Sequence, residues 1–154
     1  EHSAKDCYEK TSEVIKKCFE ELILHKVDLK GIILKPNMII TGNKSKDKIS
    51  NEEIAKLTLQ CLRNAVPSEV PGIAFLSGGQ SDQDASNNLS NINKINTNPW
   101  KITFSYGRAL QLEAMKKWSG NNQNVEDAQK IISRRAYLNS LAASGKYEIS
   151  MEKA

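Results

Sequence analysis

The sequence is short of the residues that build metal sites and covalent frameworks. It holds three cysteines, Cys7, Cys18 and Cys61, widely spaced, and two histidines, His2 and His25, that stand apart. No CxxC or Cys/His cluster exists, so neither a zinc site nor a disulfide framework is expected. Cys18 and Cys61 fall on apolar helical stripes and are expected to be core thiols. No apolar run approaches the ~20 residues of a membrane span, and no signal peptide is recognisable. A reducing, cytoplasmic setting without membrane contact fits this usage. Also missing is a stripe of basic and aromatic residues, which argues against nucleic-acid binding. Lys+Arg is 22 against Asp+Glu 18, a mild +4. The one basic run, Lys44 to Lys48, is interrupted by Asp47 and reads as a solvated loop.

What is present is an alternation of two periodicities. Val14, Ile15, Cys18, Phe19, Leu22 and Ile23 recur at three- and four-residue spacing and predict an amphipathic helix over about 4–26. The apolar run Gly31 to Lys35 predicts a buried strand. After a polar loop from Thr41 to Ile49, Ser50 and Glu53 form a potential capping box opening a helix that ends before Pro67. A second strand, Ile73 to Leu76, stops at Ser77-Gly78-Gly79, and Ser81 and Asp84 are a second potential box. The next helix carries Ala85, Leu89 and Ile92. A third strand, Trp100 to Phe104, leads through Ser105-Tyr106-Gly107-Arg108 into a helix with Ala109, Leu112, Met115 and Trp118. A last helix spans about 124–144, with Gly145 as its cap.

Strands alternating with helices predict an α/β fold with a parallel sheet, and the continuous apolar runs predict strands buried on both faces. Three strands are too few to close a barrel, and a three-stranded parallel sheet leaves two edges. The sequence is therefore expected to be part of a larger domain.

Lys35 is the first candidate for chemistry. Proline cannot donate to a sheet ladder, so Pro36 should end the strand and place the Lys35 amine at its carboxyl end. In parallel α/β proteins that end carries the chemistry. A lysine kept from water there becomes a usable nucleophile toward carbonyls. A solvated lysine just past a strand is the bland alternative. The second and third strand ends are alike: each pairs a serine, Ser77 or Ser105, with glycine, and each leads into a helix. Glycine lets backbone amides approach an anion, the helix start adds a positive dipole end, and Arg108 adds a bidentate donor. Either motif alone reads as a turn or a cap. Together with a strand-end lysine on the same rim, they point to a phosphate cradle.

The blocks Leu34-Lys35-Pro36-Asn37-Met38, Phe75-Leu76-Ser77-Gly78-Gly79-Gln80-Ser81 and Phe104-Ser105-Tyr106-Gly107-Arg108-Ala109-Leu110 resemble class I fructose-bisphosphate aldolase. Asn139-Ser140-Leu141-Ala142 and Gly145-Lys146-Tyr147 continue the likeness, which covers essentially the whole sequence in order. The resemblance implies a TIM (β/α)8 barrel of which this sequence is the C-terminal part, strands six to eight with their helices. Strands one to five, with the proton-transferring acids, and the C-terminal tail are then expected outside it. It implies a homotetramer that cleaves fructose 1,6-bisphosphate reversibly to dihydroxyacetone phosphate and glyceraldehyde 3-phosphate, in glycolysis, with no metal or cofactor. Lys35 is then the Schiff-base lysine, and Ser77, Gly78, Gly79, Ser105, Gly107 and Arg108 bind the phosphorylated sugar. The implied partners are the N-terminal half of the barrel, the other subunits and a possible cytoskeletal protein. Two alternatives stay open: a non-catalytic scaffold on the same fold, and another Schiff-base barrel lyase of the transaldolase type.

Overall fold

The computed structural model describes residues 1–153. Helix α1, Ala4–Leu24, starts at Ser3, whose hydroxyl oxygen accepts from the Asp6 amide while the Asp6 carboxylate accepts from the Ser3 amide at 2.9 Å. This is a complete capping box. Ile15 and Phe19 are buried, but Val14, Cys18 and Ile23 on the same stripe are exposed. Cys18 is therefore not a core thiol, whereas Cys61 is. The apolar stripe of α1 is wider than the surface its neighbour covers.

Strand β1 is only Ile33–Leu34, shorter than the Gly31–Lys35 expectation. Residues Leu29–Gly31 form a 3-10 turn instead, capped by Asp28, whose carboxylate accepts from the Lys30 amide at 3.0 Å. Strand β2 is Gly72–Phe75 and β3 is Lys101–Phe104. The sheet order is β1-β2-β3 and all pairs are parallel, with Leu34 beside Ile73 and Phe75 beside Phe104. Between the strands lie α2, Asn51–Ala65, and α3, Asp82–Ile95. Helices α4, Arg108–Trp118, and α5, Val125–Ala143, follow β3. Ser50 and Ser81 cap α2 and α3 through the amides of Glu53 and Asp84.

The helices cover one face of the sheet. Ile73, Phe75 and Ile102 are buried in a core with Leu59, Leu62, Leu89, Ile92 and Leu138. The other face is open among the described residues: Ile33 is 68% exposed, and Lys101 and Thr103 are exposed. The expectation of strands buried on both faces is thus not met here. At the outer strand β1 nothing among the described residues packs over Ile33.

The C-terminal segment is fastened by a buried ion cluster. Arg135 on α5, 9% exposed, donates to both oxygens of Glu152 at 2.7 and 2.9 Å and pairs with Asp82 at 2.7 Å. Glu152 lies in the 3-10 turn Ile149–Lys153 and also accepts from the hydroxyl of fully buried Tyr147 at 2.7 Å. Burial opposes charge on Glu152, but the bonds from Arg135 and Tyr147 prevail and hold its carboxyl below the usual range. Because the folded value is depressed, this stability is full above the ordinary glutamate value of about 4.3 and is lost as pH falls through the folded value. Replacing the arginine takes the cationic partner from the half-buried carboxylates of Glu152 and Asp82, a loss of up to about 3–5 kcal/mol. Arg135→Met in the complete protein is therefore expected to lower the urea unfolding midpoint and, with it, the unfolding free energy by that much at neutral pH, and to flatten the acid limb below about pH 4. Urea titrations at several pH values check both; an unchanged midpoint contradicts the clamp.

Candidate active site at the carboxyl ends of the strands

Parallel pairing puts the exits of all three strands on one rim. The ladder runs past the strands: the Leu76 amide donates to the Pro36 carbonyl at 3.0 Å, and the Ser105 amide to the Phe75 carbonyl at 2.8 Å. Pro36 lacks an N–H, so β1 ends there, yet its carbonyl still anchors β2. Carrying the register of β1 on by one residue sets Lys35 beside Ala74, which itself pairs with Thr103. Alternation then puts Lys35 on the open face with Ile33 and Thr103.

Lys35 is exposed, and the buried setting expected for it is not found. β1 is the outer strand, and among the described residues nothing covers its far side. With Leu34, Asn37, Leu76 and, from α1, Thr11 and Ile15, it lines a pocket of about 360 Å3. Asn37 fixes the strand exit by donating to the Thr11 hydroxyl at 2.9 Å and the Met38 carbonyl at 3.1 Å.

The exit of β2 turns sharply. Gly78 and Gly79 have φ of 58° and 80°, the left-handed region that favours glycine. A Cβ on Gly79 would also come within 3.3 Å of the Asn43 side chain. The turn closes where the Ser77 carbonyl accepts from the Gln80 amide at 3.1 Å and the Gln80 side chain at 2.8 Å.

The exit of β3 is pinned by Tyr106. Its ring is buried 5.3 Å from that of Phe104, and its hydroxyl donates to the Ala85 carbonyl at 3.0 Å. Burial pushes the phenol well above its ordinary value, so it stays a donor. With Tyr106 turned inward, Ser105, Gly107 and Arg108 are exposed. Helix α4 starts at Gly107 with no side-chain cap, unlike serine-capped α1, α2 and α3. Its first-turn amides have no side-chain acceptor of that kind, an arrangement suited to an anion. Arg108 borders a cleft of about 310 Å3 together with Gln80, Asp82, Arg134, Arg135 and Glu152.

The expected residues thus stand in one row across three neighbouring strand ends, although Lys35 and Arg108 border different pockets. The supports beneath them, Gln80, Tyr106 and the Arg135 cluster, were not foreseen from the sequence. The available signal was a helix, α3, carrying Ser86, Asn88 and Ser90 on its buried side.

A family model described as fructose-bisphosphate aldolase class-I matches residues 1–154. The non-muscle fructose-bisphosphate aldolase of Lethenteron camtschaticum is 47% identical over 148 residues, 96% of this chain and 41% of that protein. Fructose-bisphosphate aldolase C of Pan troglodytes is 46% identical over 153 residues, 99% of this chain and 42% of that protein. A ternary co-crystal structure of Plasmodium falciparum fructose-bisphosphate aldolase with TRAP and a small-molecule inhibitor superposes with a TM-score of 0.92 at 43% identity, covering 96% of this chain and 42% of that one. The chain spans about two fifths of the length of the curated relatives it matches. Three parallel strands with their exits on one rim, and sequence identity along almost the whole chain, agree: the chain belongs to the class I fructose-bisphosphate aldolase family.

Proposed function

We propose that this chain supplies the imine-forming lysine and the phosphate cradle of a Schiff-base aldolase acting on fructose 1,6-bisphosphate. The observation that carries the reading is the row formed by Lys35, the Ser77–Gly79 loop and the Ser105–Arg108 turn at the same end of adjacent parallel strands. The Lys35 amine adds to the ketose carbonyl, and the carbinolamine loses water to give a protonated imine. That imine accepts the electron pair of the adjacent carbon–carbon bond as it breaks, releasing an aldehyde and leaving an enamine. Protonation of the enamine and hydrolysis return dihydroxyacetone phosphate and the free lysine. The Gly78 and Gly79 amides, the α4 N-terminus and Arg108 hold the phosphate in register with the imine. Positioning of this kind can supply up to about 7–11 kcal/mol of a barrier.

The open face of the sheet and the exposed Ile33 fit a (β/α)8 barrel in which β1, β2 and β3 are strands six, seven and eight. In that arrangement the outer edges of β1 and β3 pair with the remaining strands, which also enclose Lys35 and carry the proton-transferring acids. The setting is cytoplasmic and the assembly a homotetramer. A protein-docking role beside catalysis is a second reading, favoured by the co-crystal of the Plasmodium falciparum relative with TRAP.

Borohydride reduction in the presence of dihydroxyacetone phosphate is expected to fix the substrate on Lys35. Peptide mass spectrometry reads the site, and an adduct on another lysine with Lys35 unmodified refutes it. Lys35→Arg should abolish cleavage, because a guanidinium keeps the charge but cannot form the imine.

Arg108→Ala should raise the Michaelis constant for phosphorylated substrate roughly ten- to hundredfold, the loss of a charge-assisted contact of about 1.5–3 kcal/mol. An unchanged constant in steady-state kinetics marks Arg108 as a surface arginine.

Residues 1–154 produced alone should aggregate or fail to melt cooperatively, since the two sheet edges and the open face stay uncovered. Adding the complementary part of the barrel should restore a compact, active protein. A monodisperse, cooperatively melting monomer of residues 1–154 contradicts the barrel reading.

A further inference from the structure

The Ser77–Gly79 loop is held from behind by three side-chain amides in series. Asn51, the first residue of α2, donates from Nδ2 to Asn88 Oδ1 at 2.6 Å. Asn88, in the middle of α3 and 3% exposed, donates from Nδ2 to Gln80 Oε1 at 2.7 Å. Gln80 donates from Nε2 to the Ser77 carbonyl at 2.8 Å. Asn88 and Gln80 each accept with the amide oxygen and donate with the nitrogen, so the three bonds run one way and polarise one another.

The direction matters because of what lies at the end. The Ser77–Gly78 peptide is trans, so its C=O and N–H point in opposite directions. The Ser77 oxygen is held on the Gln80 side by the end of the relay and by the Gln80 backbone amide at 3.1 Å. The Gly78 N–H points the opposite way, and among the described residues it has no hydrogen-bond partner. The left-handed conformations of Gly78 and Gly79 allow this peptide orientation.

We propose that Asn51, Asn88 and Gln80 are positioning residues that aim the Gly78 amide at the substrate phosphate, so that the identity of a side chain on α2 sets phosphate affinity at the exit of β2. The inference rests on the phosphate-cradle reading above. It places a determinant of affinity on a helix that no cradle residue belongs to.

Asn51→Asp is the sharpest test, carried out in the protein made from its complete gene. A carboxylate only accepts. Asn88 must then turn its nitrogen to Asp, its oxygen faces Gln80, and Gln80 turns its own oxygen against the Ser77 carbonyl. The whole relay reverses from its far end. An acidic residue in the first turn of α2 suits the helix dipole, so the fold is not threatened. Gln80→Met, similar in length but without a donor, interrupts the relay at its near end.

The readouts are the Michaelis constant and turnover for fructose 1,6-bisphosphate, the inhibition constant of inorganic phosphate, and the preference for dihydroxyacetone phosphate over dihydroxyacetone in borohydride trapping. Both variants are expected to weaken phosphate inhibition and reduce that preference about tenfold, with the Michaelis constant changing more than turnover. A merely structural role would lower the melting temperature without shifting the preference. Arg108→Ala, measured alongside, separates the two readings. If it lowers the preference while Asn51→Asp leaves it within twofold, the relay is wrong and the cradle stands. If Arg108→Ala also leaves it unchanged, the cradle fails, and the relay with it. Should Gln80→Met not fold, Asn51→Asp alone decides.

Discussion

Two backbone hydrogen bonds lie just beyond the ends of the strands, from Leu76 to the Pro36 carbonyl and from Ser105 to the Phe75 carbonyl. They keep three chain segments level at the point where each leaves the sheet. Without that levelling, Lys35, Ser77 and Ser105 would be three unrelated loop residues. With it, they form a row whose spacing is set by the strand-to-strand distance of about 4.8 Å. Backbone geometry, not any one side chain, therefore brings an amine and two anion-receptive turns together.

Helix α3 converts that row into a defined surface. It receives the Tyr106 hydroxyl on the Ala85 carbonyl, the Gln80 side chain on Asn88, and Arg135 on Asp82. The turns after β2 and β3 and the C-terminal segment through Glu152 thus share one support. Its buried side is unusually polar: Ser86, Asn88 and Ser90 are all buried, and Ser90 donates to the Tyr147 carbonyl at 2.9 Å. Buried polar groups are costly unless paired, so these residues hold their partners in fixed places.

The helices were legible in the sequence because their apolar spacing and serine caps are local signals. Ser50 and Ser81 cap where expected, and Gly145, with φ of 68°, ends α5. The rim was legible from three strand ends carrying lysine or serine–glycine pairs. Two burial expectations are not met within this chain for one reason, that neighbours decide burial. The lysine after β1 is exposed because β1 is the outer strand, and Cys18 is exposed because α1 presents more apolar surface than α2 covers. Of the supports, only the polar stripe of α3 left a trace in the sequence; the pairings themselves did not. Arg135 meets Glu152 across 17 residues and Asn51 meets Asn88 across 37, and no local spacing encodes such pairs.

The central claim is that one molecule of substrate engages Lys35 and both turns at once. A crystal structure of the complete protein, after borohydride trapping with dihydroxyacetone phosphate, tests it most directly. The account predicts continuous density from Lys35 Nζ to the substrate carbon, with the phosphate against the Gly78 amide, the start of α4 and Arg108. A phosphate bound away from both turns, or density joined to a different lysine, would contradict it.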